Sequence, residues 1–475
     1  MAMKKSYKYI ALIIVFFLST YGVRAQEMNT LYFMENAPMR HTINPALQPV
    51  GNFYLLLPVI GYTDFMVGNN AVCMKDLIFI DKISGKTITA LHPNAGNELW
   101  KKLPNNVNIS TDLYINLLSF GFRTQHNGFF HFNFSERMNI GIGLPKSSFG
   151  LLLGQGMDNI NLRSTHASAS LYSEFSFGYT RPINNQWVVG GKLKVLMGHA
   201  FMRAKFSELE FTSTQEMARL YGHGSMQLAG VLNAKNIEGL ISNGEIPSTN
   251  ISELITPSGF GGALDMGVTY KPFNMLQVSA SITDLGLIHW AKGDRATISM
   301  DTTFNGFTNS NYQDYIDENG NVQTDVLTEN LSGYLDAIHF QEPVTMSFNQ
   351  MITANLNIGV DANFWKNRVG VGIYSRTRFY NDRVSEEITI GAAFRPMNWF
   401  NLAASYSIIN GYGGNVGAAL SIAPYDGLML TVAADYIPTS YAPYQTEKQV
   451  IPLPYQTGCV NLSFGIAIVA GTCSK

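Results

Sequence analysis

Charge is scarce in this 475-residue chain. Asp, Glu, Lys and Arg make up 14% of it, against roughly 25% in soluble domains. The formal net charge is −2, so nothing suggests nucleic acid or a polybasic lipid contact. Cysteine is nearly absent: Cys73, Cys459 and Cys473 are too dispersed for a metal motif. A Cys459–Cys473 disulfide would suit an oxidising periplasm, and the sequence leaves it open. No Cys stands at a signal-cleavage position, so the chain does not read as a lipoprotein. After residue 25 no apolar run reaches the roughly 18 residues of a membrane helix. Catalytic signatures are missing as well: there is no Gly-x-Ser-x-Gly elbow, His-Glu-x-x-His or Walker loop. Gly154-Gln-Gly156 is an isolated glycine pair, and the 9 histidines are dispersed. The chain therefore reads as a non-enzyme, with no catalytic residue, cofactor or metal site.

What is present is 12% aromatic residues and 43 glycines. With low charge and no hydrophobic helix, that favours a membrane β-barrel, whose backbone is satisfied between strands and whose outside is apolar. A secreted β-sandwich would show shorter strands and more charge on its solvent faces. One turn recurs: Tyr179-Thr-Arg-Pro-Ile-Asn184, Tyr270-Lys-Pro-Phe-Asn274 and Phe394-Arg-Pro-Met-Asn398. Pro fixes φ and Asn tolerates turn geometry, so each reads as a tight hairpin.

The first 25 residues read as an export signal. Lys4, Lys5 and Lys8 precede the apolar Ile10 to Leu18, and Val23-Arg24-Ala25 offers a cleavage site. Beyond it the period-two pattern predicts fourteen strands, within a barrel over 51–470 and a tail at 471–475. In one strand Val189, Gly191, Leu193, Val195 and Met197 alternate with Gly190, Lys192, Lys194 and Gly198. The apolar set suits lipid and the polar set a lumen. The same logic sends Asp112, Glu174, Asp265, Asp361, Arg376, Arg378 and Asp435 inward.

Short turns occupy alternate connections. Long connections are expected at about 67–106, 146–165, 205–259 and 287–343, on the extracellular side. Both termini are then periplasmic, in a bacterial outer membrane. Trp187, Tyr270, Phe273, Trp365, Phe394, Trp399 and Phe400 lie beside the short turns, where an aromatic girdle belongs. Glu98 to Leu103 and Ser213 to Leu220 read as short helices. The acidic stretch Asp317-Glu-Asn-Gly-Asn321 lacks the ligand spacing of an EF-hand and reads as a solvated loop.

Ile43-Asn44-Pro45-Ala46-Leu47 stands between the signal and the first strand. A segment so placed before a fourteen-stranded barrel resembles the FadL family of outer-membrane channels for fatty acids and other hydrophobic compounds. Arg40 to Ala46, Tyr270 to Asn274, Asp284-Leu-Gly-Leu-Ile-His-Trp290 and Phe379-Tyr-Asn381 resemble a Bacteroidota branch of FadL-like proteins. The resemblance implies that residues 26–50 are an N-terminal plug, with Asn44, Pro45 and Ala46 in its motif. It also implies passive uptake of hydrophobic, fatty-acid-like molecules. The alternative is a barrel that binds a protein partner at its extracellular loops, in secretion or surface assembly.

The third strand carries an anomaly. Phe130, Phe132, Phe134, Met138, Ile140, Ile142 and Leu144 share a face with Glu136. A carboxylate facing lipid is unfavourable. A bulge would turn it inward and break the ladder. FadL-type barrels have a kinked third strand with a side exit, so Glu136 and Arg137 are the expected kink. A lumen salt bridge after a register shift, or an interfacial Glu136, are the other readings.

Overall fold

The computed structural model describes residues 28–71, 78–80, 87–89, 96–150, 153, 159–213, 217–233, 256–305, 339–341, 343–380, 384–410, 412–425, 427–437, 441–445, 450–454 and 459–471. The expected signal at 1–25, the acidic stretch at 317–321 and the Cys459–Cys473 pairing lie outside the described residues or side chains.

Fourteen antiparallel strands close into a barrel. The first, β1, runs in two pieces, Phe53–Leu56 and Thr63–Asn69. Then come β2 (Asn106–Arg123), β3 (Phe129–Pro145), β4 (His166–Pro182) and β5 (Trp187–Ser213). The next, β6, is again in two pieces, Met217–Gly230 and Gly259–Phe273. It leads to β7 (Leu276–Asn305) and to β8 (Val344–Met351 and Ala354–Phe364). The last six are β9 (Val369–Phe379), β10 (Val384–Met397), β11 (Phe400–Ile409), β12 (Tyr412–Tyr425), β13 (Leu428–Ile437) and β14 (Cys459–Ala470). Closure comes from β1 pairing with β14, Phe53 opposite Ala470 and Thr63 opposite Phe464.

The strand faces follow the sequence alternation. Val189, Leu193 and Val195 are exposed on the outside, while Lys192, Lys194 and Leu196 are buried within. On β14, Val460, Leu462, Phe464 and Ile468 face out, while Asn461, Ser463 and Ala467 face in. With the strands paired to both neighbours over most of the wall, Val344–Met351 pairing with β7 alone among the described residues, backbone groups are satisfied without water, and an apolar exterior can sit in lipid. No helix among the described residues is long and apolar enough to cross a membrane.

The recurrent turns sit where expected. Asn184 Oδ1 accepts from the amides of Gln186 and Trp187, both at 2.8 Å, which closes the β4–β5 turn. Trp187, Phe273, Trp365, Phe394 and Trp399 are all exposed at the short-turn end, and Trp187 stacks on Tyr270 with centroids 4.3 Å apart.

Two expectations for the long connections need correction. The stretch expected as a loop at 205–259, with a short helix at Ser213 to Leu220, contains the first piece of β6. Ala218 to Ala229 pair with β5 on one side and β7 on the other. That double pairing outweighs a weak local helix preference. Likewise β7 continues to Asn305, well into the loop expected at 287–343. The two pieces of β6 lie end to end between β5 and β7, with Gly230 opposite Ala200 and Gly259 opposite Gly198. The expected helix at Glu98 to Leu103 is present as Gly96–Lys102.

Candidate functional site

The inner face of β10 to β14 is built from small residues: Ala393, Ala403, Ala419, Ala433 and Ala467 are all buried there. Small side chains leave a barrel lumen unfilled unless something else enters. Residues 28–47 enter. They fold as two 3-10 turns, Thr30–Phe33 and Pro38–Thr42, the second started by Pro at its first position. Met28, Leu31, Tyr32, Phe33, Met34, Ile43 and Leu47 join those alanines, with Tyr54 and Tyr374, in one apolar cluster.

Polar contacts fix the segment along its whole length. The Asn29 and Thr30 amides donate to Asp435 Oδ2 at 2.6 and 3.2 Å, and the Thr30 hydroxyl donates to Asp435 Oδ1. Tyr32 stacks on Tyr374 with centroids 4.6 Å apart, and its hydroxyl donates to Asp361 at 2.8 Å. Glu35 accepts from Asn367 at 2.5 Å and lies 3.4 Å from Arg395. Burial alone would raise the Glu35 carboxyl; Arg395 and Arg40 outweigh it and hold it below its ordinary range. Asn367 ends a run, Trp365-Lys366-Asn367, in which every φ is between 49° and 68°. Such a run is unfavourable for Trp and Lys, and it delivers the Asn367 amide to Glu35.

The Asn44-Pro45-Ala46 motif packs directly on the wall. Asn44 Oδ1 accepts from the Ala46 amide at 2.8 Å, an Asx turn that presents Pro45. Asn44 Nδ2 donates to the carbonyls of Val268 at 3.4 Å and Ala280 at 3.2 Å. The Thr180 hydroxyl donates to the Pro45 carbonyl at 2.5 Å. A Cβ at Gly267 would overlap the Asn44 side chain, and one at Gly190 would overlap the Pro45 carbonyl. These two glycines are there for close approach. Just upstream, the Ile43 carbonyl accepts from Ser281 at 2.8 Å and Asn357 at 3.0 Å.

The predicted lumen residues all face inward, in separate groups. Lys192 Nζ donates to His41 Nδ1 at 2.7 Å and to the His41 carbonyl at 2.6 Å. Lys194 sits among Asp284 at 2.5 Å, Asp265 at 2.9 Å and Glu174 at 3.5 Å. Arg137 closes that cluster, 3.1 Å from Glu174 and 3.0 Å from Asp284. Arg376 donates to Asn357 at 3.2 Å and Tyr374 at 3.0 Å, while Arg378 pairs with Asp112 at 3.4 Å. Asp284 has φ 61° at an irregularity in the β6–β7 ladder, and its amide donates to Asp265 at 2.7 Å. Sequence reasoning missed Asp284 as a member, since left-handed backbone leaves no alternation signal.

The break expected at Glu136–Arg137 is not in β3. Its ladder with β4 runs from Phe129 to Gly143 without a register shift. The irregularities lie in its neighbourhood, in β2 between Asn116 and Leu118 and in the β4–β5 ladder near His199. No bulge is needed: Arg137 points inward to its carboxylates, and Glu136, facing out, accepts from Ser173 at 2.5 Å. Ser173 also lies 2.6 Å from His199 Nε2.

Cavities line the lumen. One of about 90 Å³ lies at the long-loop end, between Asp112, Asn139, Tyr172, Phe201, Arg203 and Ile352, among others. A second of about 30 Å³ adjoins it at Asp112, Asn139 and Tyr172 and reaches Arg137 and Asp284. The third, also about 30 Å³, lies beside Tyr32, Glu35 and Arg395. Among the described residues no cluster of metal-binding side chains occurs.

The model of a family described as of unknown function, DUF5723, matches residues 45–435. No curated protein matches the sequence. Among solved structures, the Pseudomonas putida toluene transporter TodX is 10% identical, with 91% of this chain and 93% of that chain covered and a TM-score of 0.42. A Pseudomonas aeruginosa FadL homologue is 11% identical, with 95% and 100% covered and a TM-score of 0.36. The translocator domain of the Neisseria meningitidis autotransporter NalP is 7% identical, with 92% and 96% covered and a TM-score of 0.30. Superpositions this loose carry no argument about ligand or activity.

Proposed function

The chain belongs to the DUF5723 family of unknown function, and we propose that it is an outer-membrane channel for small hydrophobic compounds, closed at rest by an N-terminal plug. The observation that carries this reading is the seating of residues 28–47 inside the lumen. Lys194, Arg137, Glu174, Asp265 and Asp284 pair chiefly with one another rather than with the plug. Their charges stay compensated when the plug leaves, whereas Lys192, Asp435 and Arg395 give up plug partners. Short turns and both termini face the periplasm in this reading, and long connections face outside.

The cavities bear on cargo. At about 90 Å³ the cavity at the long-loop end is smaller than the roughly 150 Å³ apolar cavity that holds one benzene. A long acyl chain does not fit in it while the plug is seated. Cargo entry and plug displacement are then one event, and fatty acids hold no special claim over other hydrophobic compounds. One observation favours a second reading, a barrel that binds a protein partner: the lumen holds residues 28–47 and many buried polar side chains.

Uptake separates the two. Cells with and without the protein would be given a radiolabelled small aromatic hydrocarbon and, separately, a long-chain fatty acid. Faster uptake of either compound only with the protein supports the channel. Equal uptake of both, with a stable protein co-purifying through the long-loop end, supports the partner reading.

A further inference from the structure

Two buried histidines and a lysine meet at the boundary between the segment and the wall. Lys192 Nζ, from β5, lies 2.7 Å from His41 Nδ1. His41 Nε2 lies 2.9 Å from the Tyr54 hydroxyl of β1. That hydroxyl lies 3.3 Å from His131 Nδ1 of β3. His131 Nε2 lies 3.3 Å from the Thr180 hydroxyl of β4, which donates to the Pro45 carbonyl. The two imidazoles pack with centroids 4.4 Å apart.

With Lys192 protonated, one proton arrangement satisfies each of these links. An ammonium has donors and no acceptor, so His41 Nδ1 must accept. Its proton then sits on Nε2 and goes to Tyr54. Tyr54 donates to His131 Nδ1, His131 Nε2–H donates to Thr180, and Thr180 donates to Pro45. Each intermediate member donates once and accepts once. The line begins at a wall lysine, passes through the segment at His41, crosses the wall and returns to the segment at Pro45. Both histidines must be neutral for it to close.

We propose that this one-way relay is an acid-sensitive latch, in which protonation of either histidine unseats residues 41–46 from the wall. A proton on His41 Nδ1 would face the Lys192 ammonium across 2.7 Å. One on His131 Nδ1 would oppose the Tyr54 proton. The surroundings give little relief. Arg40 adjoins on the segment, Arg123 lies on the β2 side and Lys194 is the next inward residue of β5. The carboxylates that act on Lys192, namely Asp265, Glu174 and Asp284, are engaged by Lys194 and Arg137. No carboxylate hydrogen-bonds either imidazole among the described links.

Burial first, then Lys192 and His131, hold the His41 imidazole well below its ordinary range. The seated state therefore binds fewer protons than the unseated state, whose imidazole titrates near 6.5. The latch contributes fully above about pH 6.5 and weakens as pH falls below it.

The inference rests on the segment being seated in the lumen. Its readout is the segment's own protection, so it can fail while the channel reading stands, and the reverse. Full-length protein in bilayers would be followed by hydrogen exchange over residues 28–47, corrected for intrinsic rate, at about pH 8 and about pH 5. Gel mobility without heating would confirm that the barrel stays folded. Protection is expected to fall about tenfold or more at the lower pH while the strands keep theirs. A His41→Gln/His131→Gln double variant should lose that acid response. Lys192→Met, which removes the opposing ammonium, should shrink it. Wild-type protection that is equal at both pH values overturns the proposal. So does an undiminished acid response in whichever of the two variants folds.

Discussion

Gly267→Val tests how tightly the wall is fitted to the Asn44-Pro45-Ala46 turn. The added Cβ falls on the Asn44 carboxamide, so Asn44 must withdraw or the strand must shift. Withdrawal gives up the bonds to the Val268 and Ala280 carbonyls and the Asx bond to Ala46. The first two are long, and a typical intramolecular hydrogen bond nets about 1 kcal/mol. Forcing atoms into a filled site adds about 1–3 kcal/mol. Together these shift the seated segment by about 3–4 kcal/mol, on the order of 100- to 1,000-fold in its equilibrium. The assay is limited proteolysis or hydrogen exchange over residues 28–47, with barrel folding followed by heat-modifiable mobility. The segment should become susceptible while the barrel remains folded. Gly262→Ala, where the added Cβ would meet only the Lys194 carbonyl at 3.4 Å, should leave the segment protected. If Gly267→Val keeps wild-type protection in a folded barrel, the close-approach reasoning is wrong.

Further outcomes follow from other contacts. Asp435→Asn leaves a single carbonyl oxygen facing the Asn29 and Thr30 amides, and should speed exchange at residues 28–31 by an amount corresponding to about 2 kcal/mol. Glu35 has a depressed carboxyl, so its contribution is present above the ordinary carboxylate range and lost as pH falls through its lowered value. Segment protection in Glu35→Gln should accordingly be weaker than wild type at neutral pH and converge with it in acid. Leu193→Arg puts a charge on an outer position that is 67% exposed, and should cost about 2–4 kcal/mol in equilibrium folding into bilayers if that position lies near mid-depth. An inert Leu193→Arg would mean that this face does not meet lipid.

The barrel was legible because its signal repeats. Val189 against Lys192, Val371 against Arg376 and Phe464 against Ser463 each obey period two, and cross-strand pairing rewards the same pattern. The lumen residues Lys192, Lys194, Asp361, Arg376 and Arg378 came from that alternation alone. Their partners did not. Strand order brings Arg137, Glu174, Lys194 and Asp284 together from four different strands, and period two says nothing of height or register. Glu136 was misread because an outward carboxylate looks unpaired in one strand; Ser173 lies on the next. The strand at Met217–Gly230 was missed because its stability comes from pairing on both edges rather than from its own residues. His131 could have been found. It alternates with Phe130 and Phe132 and had to point inward.

The central claim is that residues 28–47 close an otherwise passable barrel. The measurement that meets it most directly is electrical conductance across a planar bilayer, comparing the intact chain with a folded variant lacking residues 28–47. The account predicts a nearly silent intact barrel and discrete, sustained conductance steps in the deletion. A folded deletion variant as silent as the intact chain would mean that the lumen is shut by its own walls.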